Sequence, residues 1–388
     1  MKQIFKTLLF GCLIGMTFVG CSEETPQRDY SEPENTTGIP SDALAGENPE
    51  IDVPNTHIPN MNYSVERSGN HVIVRLDLTG IQDPETREWL ELIGTGKEEQ
   101  NVWVSVDDAP KGILVYNSGD NEGEQSIKAD LVFLVDNSGS MSEEANLVAA
   151  EISSWATKLA NSGLDIRFGC VGYNDGGDIS GALDFSSAEL INEYLNRPNV
   201  SGTSRTKGFY GDKAEFLSNS RTGFNEVYEE CGVVALTFAD SLFSFRTGAN
   251  RIYVNFTDEP NFPNRIAKWS VEKVKDVTKW PVSKGTIHTV YSADTTDFSE
   301  TRLYREKPWK LSEYTGGTIL QTSSNFSGVS LESLPVTGAM QNSYIIRFTN
   351  VDKLMDGKNH IVKITVLTLD GGVKAEKTFT INFGALEE

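Results

Sequence analysis

The stretch Asp130–Glu144, DLVFLVDNSGSMSEE, constrains the fold of this chain more than any other. Leu131 to Val135 are apolar without interruption. They lack the polar alternation of a half-exposed strand and read as a strand buried on both faces of a parallel sheet. Asp136 ends the run, an Asn-Ser-Gly-Ser turn follows, and Ser140 and Glu143 stand at capping-box spacing for a helix. Asp136, Ser138 and Ser140 occupy alternate positions of that turn. A loop at the carboxyl end of a parallel strand is where an open α/β sheet places its ligands. One carboxylate and two hydroxyls there suit a hard divalent cation, which takes oxygen donors and keeps part of its water.

A second β-rich run, Arg251–Asp258 (RIYVNFTD), also ends in a carboxylate. If the two runs are neighbouring parallel strands, Asp136 and Asp258 share one sheet edge. Each raises the other's pKa, and a cation between them relieves the repulsion. The rest of the segment alternates in type. A helix carries Val148, Ile152, Trp155 and Leu159 as a core-facing stripe and stops at Gly163. Leu164–Tyr173 reads as a strand, 174–178 as an acidic turn that is solvated or holds a second cation, and Ala188–Leu195 as a helix. Further helices are expected over Glu230–Phe245, with Asp240 on the solvated face, over Asn264–Trp280 and over Trp309–Tyr314. Strands are expected at Thr286–Tyr291 and 316–320. Strand-helix alternation of this kind implies α/β class, with a doubly wound, mostly parallel sheet.

The flanks are purely β. Val65, Val72, Val74, Leu76 and Leu78 alternate with polar neighbours, as do Val102, Val104 and Val106, and Ile113 and Val115 suggest another strand. After Pro335, strands are expected at Tyr344–Phe348, from Ile361 to Leu369, and at Phe379–Phe383, with a turn at Asp370-Gly371-Gly372. Neither flank alone makes a good sandwich. The simplest arrangement is one immunoglobulin-like β-sandwich built from 59–128 and 333–388, with the α/β unit 129–332 inserted; two small independent β domains are the alternative. Gly94-Thr95-Gly96-Lys97 lacks full phosphate-loop spacing and reads as a turn.

Lys2 and Lys6 flank the start of an apolar run, Leu8–Val19, that is too short to span a membrane, so residues 1–20 read as an export signal. Residues 21–58 are rich in Glu, Pro, Ser, Thr and Asn and read as a disordered tether. Cys170 and Cys231 are left to the folded part, to pair as a disulfide or stay as small buried thiols. A net charge of −21 argues against nucleic acid as a partner. No zincin, nucleophile-elbow or complete phosphate-loop motif occurs, and His57, His71, His288 and His360 are scattered. His288 lies in an apparent core strand, where a satisfied imidazole is expected. An enzyme is not expected.

The strand, the D-x-S-x-S turn and the helix, together with Thr257-Asp258-Glu259-Pro260, resemble the metal-ion-dependent adhesion site (MIDAS) of a von Willebrand factor type A (vWA) domain, over about residues 130–330. The resemblance implies that Ser138 and Ser140 bind Mg2+ directly (Ca2+ or Mn2+ as alternatives), that Asp136 and Asp258 act partly through water, and that a loop threonine completes the set. The family's Gly-Gly-Thr is absent. The long segment Arg197–Asn225, with five basic residues, stands in its place. Thr222 is the choice, with Thr203 and Thr206 as alternatives. The insertion resembles the hybrid-domain arrangement of integrin β-chains. Phe18-Val19-Gly20-Cys21 resembles a bacterial lipobox, and Ser22-Glu23-Glu24 resembles the acidic export tag of Bacteroidetes surface lipoproteins. Together these imply an outer-membrane, surface-exposed protein lipidated at Cys21 that meets the membrane only through its anchor. The implied partner is a protein offering a carboxylate, or an extracellular matrix or glycan component. The alternative is a structural subunit of a surface or fimbrial assembly in which the metal only stabilises the fold.

Overall fold

The computed structural model describes residues 38–68, 71–118, 127–141, 144–161, 164–174, 179–196, 209, 223–224, 227, 229–293, 304–322, 326, 330–331 and 334–385. Five strands come first: β1 (Asn62–Ser68), β2 (His71–Leu78), β3 (Val102–Val106), β4 (Ala109–Lys111) and β5 (Leu114–Asn117). The α/β segment supplies β6 (Lys128–Asp136), β7 (Asp165–Tyr173), β8 (Ile179–Ser186), β9 (Ala249–Thr257), β10 (Thr286–Tyr291) and β11 (Ile319–Gln321). Three strands close the chain: β12 (Tyr344–Phe348), β13 (Asn359–Leu367) and β14 (Lys374–Asn382). The helices are α1 (Glu144–Ala160), α2 (Ala188–Leu195), α3 (Gly232–Leu242), α4 (Lys310–Thr315) and α5 (Val336–Gln341).

The central sheet has six strands in the order β11-β10-β9-β6-β7-β8, parallel except for the antiparallel pair β7–β8. Side chains of a strand alternate between faces, so a run buried on both sides feeds two cores. Leu131, Phe133 and Val135 pack with Ile152 and Trp155 of α1 on one face. Val132 and Leu134 pack with Val233, Leu236 and Trp269 on the other. This is why the run from Leu131 to Val135 has no polar interruption.

The flanking strands form two four-stranded antiparallel sheets, β1-β2-β12-β5 and β14-β13-β3-β4, and each takes strands from both sides of the α/β segment. They enclose one core that holds Val74 and Leu76 with Val104, Ile364 and Phe379. Hydrogen bonds join this body to the start of the parallel strands. Asn250 of β9 accepts from Asn62 N–H at 2.7 Å and donates to the Asp77 carbonyl at 3.1 Å. The Thr286 hydroxyl of β10 donates to the Asn60 carbonyl at 3.0 Å.

Several expectations need correcting. Residues 38–58, expected as part of the tether, lie across the antiparallel sheets. Asp42 pairs with Lys111 at 3.1 Å, Asn48 bonds Thr365 at 3.2 Å, Asn55 bonds the Gly372 carbonyl at 2.8 Å, and Ile58 is buried. Residues 22–37 lie outside the described set. The helix expected over Asn264–Trp280 is instead two short 3-10 turns, Ala267–Trp269 and Val271–Val274. It follows Pro263, and Asn264 and Arg265 have positive φ (48° and 63°), which α-helical backbone does not tolerate. Strand β8 stands where only a turn leading to a helix was expected. Asp240 is not solvated: its carboxylate pairs with Lys284 at 2.6 Å and Arg251 at 3.1 Å. Cys170 and Cys231 are buried thiols in no disulfide, so the disulfide alternative fails. Cys170 belongs to the α1 face of the sheet and Cys231 to the α3 face, with the sheet between them.

Candidate metal site at the sheet edge

Strand pairing builds the site. Val135 of β6 faces Phe256 of β9, so the residues that follow, Asp136 on one strand and Thr257 and Asp258 on the other, emerge at the same edge. Asp136 has no exposed surface. Its Oδ1 accepts the Ser138 N–H at 3.0 Å, an Asx turn that bends the chain away from the strand. The Thr257 hydroxyl lies 2.9 Å from Asp136 Oδ2 and accepts the Glu259 N–H at 3.1 Å, which fixes the start of the second loop. The Ser138 and Ser140 hydroxyls are 3.0 Å apart, and Ser140 donates to Asp258 Oδ1 at 3.1 Å. Hydrogen bonds therefore link both strand ends, through the Ser138 N–H on Asp136 and then the Ser138, Ser140 and Asp258 oxygens, buried at Asp136 and exposed at Ser140.

Farther along the second loop, Asn261 is held between α3 and the segment before α4. Its Oδ1 accepts from Cys231 Sγ at 3.1 Å and Val233 N at 3.2 Å, while its Nδ2 donates to Glu306 Oε2 at 2.9 Å. The backbones of Asn261 and Glu306 exchange two further hydrogen bonds, at 2.9 and 2.8 Å. A loop clamped this way keeps Asp258 in place without depending on the turn opposite.

The electrostatics are adverse for bare carboxylates. Burial pushes the Asp136 carboxyl well above the usual carboxylate range, and the charges of Asp258 and Glu230 push it further; the Ser138 hydrogen bonds act against this. Asp258 is also raised, chiefly by burial, with Glu144 at the start of α1 adding to it and the Ser140 hydroxyl opposing. Like-charged groups packed at one edge favour either protonation or a cation.

The donor set fits a hard divalent ion. Every group is an oxygen, and two carboxylates are diluted by neutral hydroxyls. In an octahedron with bonds of about 2.1 Å, as Mg2+ requires, adjacent oxygens stand roughly 3.0 Å apart. The Ser138–Ser140 and Ser140–Asp258 pairs, hydrogen-bonded at 3.0 and 3.1 Å, are close enough to share one such ion. Among the described residues no group of three or more His, Cys, Asp or Glu stands where it could hold a metal ion, so any ion at this edge would depend on the serine hydroxyls as well as the two carboxylates.

The structure thus brings Asp136, Ser138, Ser140 and Asp258 together. Thr222, Thr203, Thr206, Glu143, the residues 175–178 of the acidic turn and the lipidation candidate Cys21 lie outside the described residues. Of the long segment Arg197–Asn225, Phe209 is buried, and its carbonyl accepts the Ser180 hydroxyl of β8 at 3.0 Å. Sequence reasoning gave no role to Thr257, which holds the buried carboxylate, or to Asn261 and Glu306. Thr257 had a signal, a hydroxyl directly before the strand-ending carboxylate. Asn261 and Glu306 had none, because they meet across 45 residues.

No family model matches the chain, and no curated protein matches it. Solved structures with a similar fold include an aerotolerance-related membrane protein of Bacteroides fragilis (12% identity, 55% of this chain and 98% of that one, TM-score 0.32). Another is proximal thread matrix protein 1 of the mussel byssus, with a zinc-occupied MIDAS motif (10% identity, 61% and 49%, TM-score 0.31). A third is the pilus adhesin SpaC of Lactobacillus rhamnosus GG in an open conformation (9% identity, 85% and 48%, TM-score 0.35). The chain spans about half the length of the last two. Likenesses this loose carry no functional argument, which rests on the site's own geometry. No helix among the described residues is long and apolar enough to cross a membrane.

Proposed function

We propose that this chain is a lipid-anchored surface protein whose vWA-type α/β unit, mounted in an immunoglobulin-like pair of sheets, captures an acidic partner through a divalent cation, most simply Mg2+. The observation that carries this reading is the convergence of buried Asp136 with Ser138, Ser140 and Asp258 at one sheet edge, all oxygen donors, with a surplus of negative charge. Ser138 and Ser140 would hold the ion, Asp136 and Asp258 would neutralise it, and a loop threonine, Thr222 in the reading above, would complete the protein's share. When bound, the ion supplies a Lewis-acid position open to a carboxylate from a protein, matrix or glycan partner. The chain's own residues do the rest. Thr257 orients Asp136, Ser140 tethers Asp258, and the Asn261–Glu306 clamp holds the second loop. The role is binding rather than catalysis, and anchoring would run through Cys21.

The test is Mn2+ binding by electron paramagnetic resonance, with Mg2+ as competitor, on wild type and Asp136→Ala. Wild type is expected to bind one ion per chain and Asp136→Ala none in the same range, with unchanged circular dichroism. Equal binding by the two sinks the reading. Because Asp136 is fully buried, the ion could instead serve only the fold of a structural or fimbrial subunit. In that case EDTA lowers the melting temperature but leaves capture of surface partners intact.

A further inference from the structure

At the opposite end of the parallel sheet from the metal site lies a cavity of about 290 Å3, at the junction of the two bodies. Its walls come from the strand starts at Ile252 and His288, the turn that carries Arg87 and Trp89, the strap at His57, and α5 at Met340. The chain has 55 Asp and Glu, yet among the described residues none lines this cavity, while two arginines and two histidines do.

The polar groups are specific. The Thr318 N–H donates to His288 Nδ1 at 3.0 Å, so that nitrogen carries no proton. Burial lowers the His288 pKa to about 4, which keeps the ring neutral at physiological pH and puts its proton on Nε2. His288 is 8% exposed, and its Nε2–H has no partner among the described residues. Arg251 is already committed, paired with Asp240 at 3.1 Å and stacked 4.1 Å over the Phe245 ring. Arg87 is not: its guanidinium has no ion-pair partner among the described residues. Its backbone is held at φ 65° by a turn in which Asp83 Oδ1 accepts from Glu85 N and Thr86 N. A non-glycine residue kept in the left-handed region needs surroundings that impose it. Trp89 supplies a flat wall. Its indole lies so close to Gly80 and Gly338 that a Cβ at either would meet the ring at 2.9 and 2.4 Å.

We propose that this cavity binds a small organic carboxylate with a planar apolar body. The carboxylate would meet Arg87 and the His288 Nε2–H, and the body would pack on Trp89, Ile252 and Met340. Small-ligand sites are mostly apolar with a few convergent polar groups, and a charge-assisted contact to a buried donor fixes orientation. This site is separate from the metal edge and does not depend on the reading proposed for it.

The experiment titrates benzoate, phenylacetate and indole-3-acetate, each beside its carboxamide, in excess EDTA. The full chain is monitored by calorimetry and by the His288 ring resonances. Saturable binding of at least one acid, a shift of the His288 Nε2 signal and weaker binding of its amide are expected. Arg87→Met, at an exposed position where folding is not at stake, should weaken the acid about tenfold and the amide little. Ala339→Leu, which fills the cavity from α5, should weaken both. Acetyl-glycyl-phenylalanine tells a free acid from a peptide terminus: tighter binding than phenylacetate assigns the site to a chain end. Failure of all three acids to saturate, acids and amides binding alike, or binding indifferent to Arg87→Met overturns the proposal.

Discussion

Asp130 and Asp136 sit at the two ends of one strand, and neither has any exposed surface, yet their surroundings differ completely. Asp130 is enclosed by cations. Arg246 reaches it through Nε at 2.8 Å and its backbone N–H at 2.6 Å, and Arg167 holds both oxygens at 3.1 and 3.2 Å. Asp136 receives one backbone N–H and one hydroxyl, and the charges around it are Asp258 and Glu230. Burying a carboxylate is tolerable where a counter-charge is built in. At Asp130 the chain supplies that counter-charge from its own arginines. At Asp136 the charges acting on it are acidic, and the edge faces the surface through Ser140. The difference separates a carboxylate that fastens the fold from one that, on the function proposed above, receives an ion.

The contrast breaks most readily at Asp130. Asp130→Ala strands two guanidinium groups at the strand start and should cost about 3 kcal/mol in urea unfolding, the low end for a broken buried pair. The low end applies because Arg246 and Arg167 keep 21% and 33% of their side chains exposed. A loss no larger than at an ordinary surface site would mean that the two ends of β6 are equivalent after all.

At Asp136 the stabilising charge should come from outside. Mg2+ at a hundred times its dissociation constant should add about 2.7 kcal/mol to wild type, read by melting, and nothing to Asp136→Asn. In EDTA the pH dependence should reveal the same uncompensated carboxylates. Unfolded carboxyls lose their protons near 3.8, whereas folded Asp136 and Asp258 hold theirs to higher pH. The stability they contribute is therefore complete below that value and is lost as pH rises through the folded pKa values. Asp136→Asn should flatten this slope relative to wild type, and saturating Mg2+ should abolish it. A slope identical in wild type and Asp136→Asn would place the titration elsewhere.

The smallest expected effect sharpens the comparison within the site. Thr257→Val keeps the shape of the residue but removes the hydroxyl at Asp136 Oδ2, and should cost about 1 kcal/mol in unfolding. Its Mn2+ affinity should fall as well, since Asp136 loses the group that orients it. A change in stability with affinity untouched would make Thr257 a packing residue only.

How legible all this was in the sequence follows from the range of the forces involved. The buried strand at Leu131–Val135 and the run ending at Asp258 declared themselves, because burial on both faces leaves no polar position in a run. The clustering of the D-x-S-x-S oxygens was legible for a similar reason: they are neighbours along the chain. The helix expected over Asn264–Trp280 failed because Trp269, Val271 and Val274 reach the core from tight turns after Pro263, and apolar spacing alone does not separate the two. Asp240 looked solvated because its partners, Lys284 and Arg251, arrive from other elements. Residues 38–58 read as tether because they dock through Asp42, Asn48 and Asn55, polar side chains whose docked and solvated forms share one composition.

That docked segment has a mechanical consequence. Its fastenings lie in series along the chain: Asp42 on Lys111 and Gly112, Asn48 on Thr365, Asn55 on Gly372 and Lys374, and the Ile58 carbonyl on Lys377. Tension arriving from the N-terminal side is borne by one fastening at a time, so the strap peels stepwise under load. Each step frees more chain and absorbs work before any strand of the two bodies bears the pull.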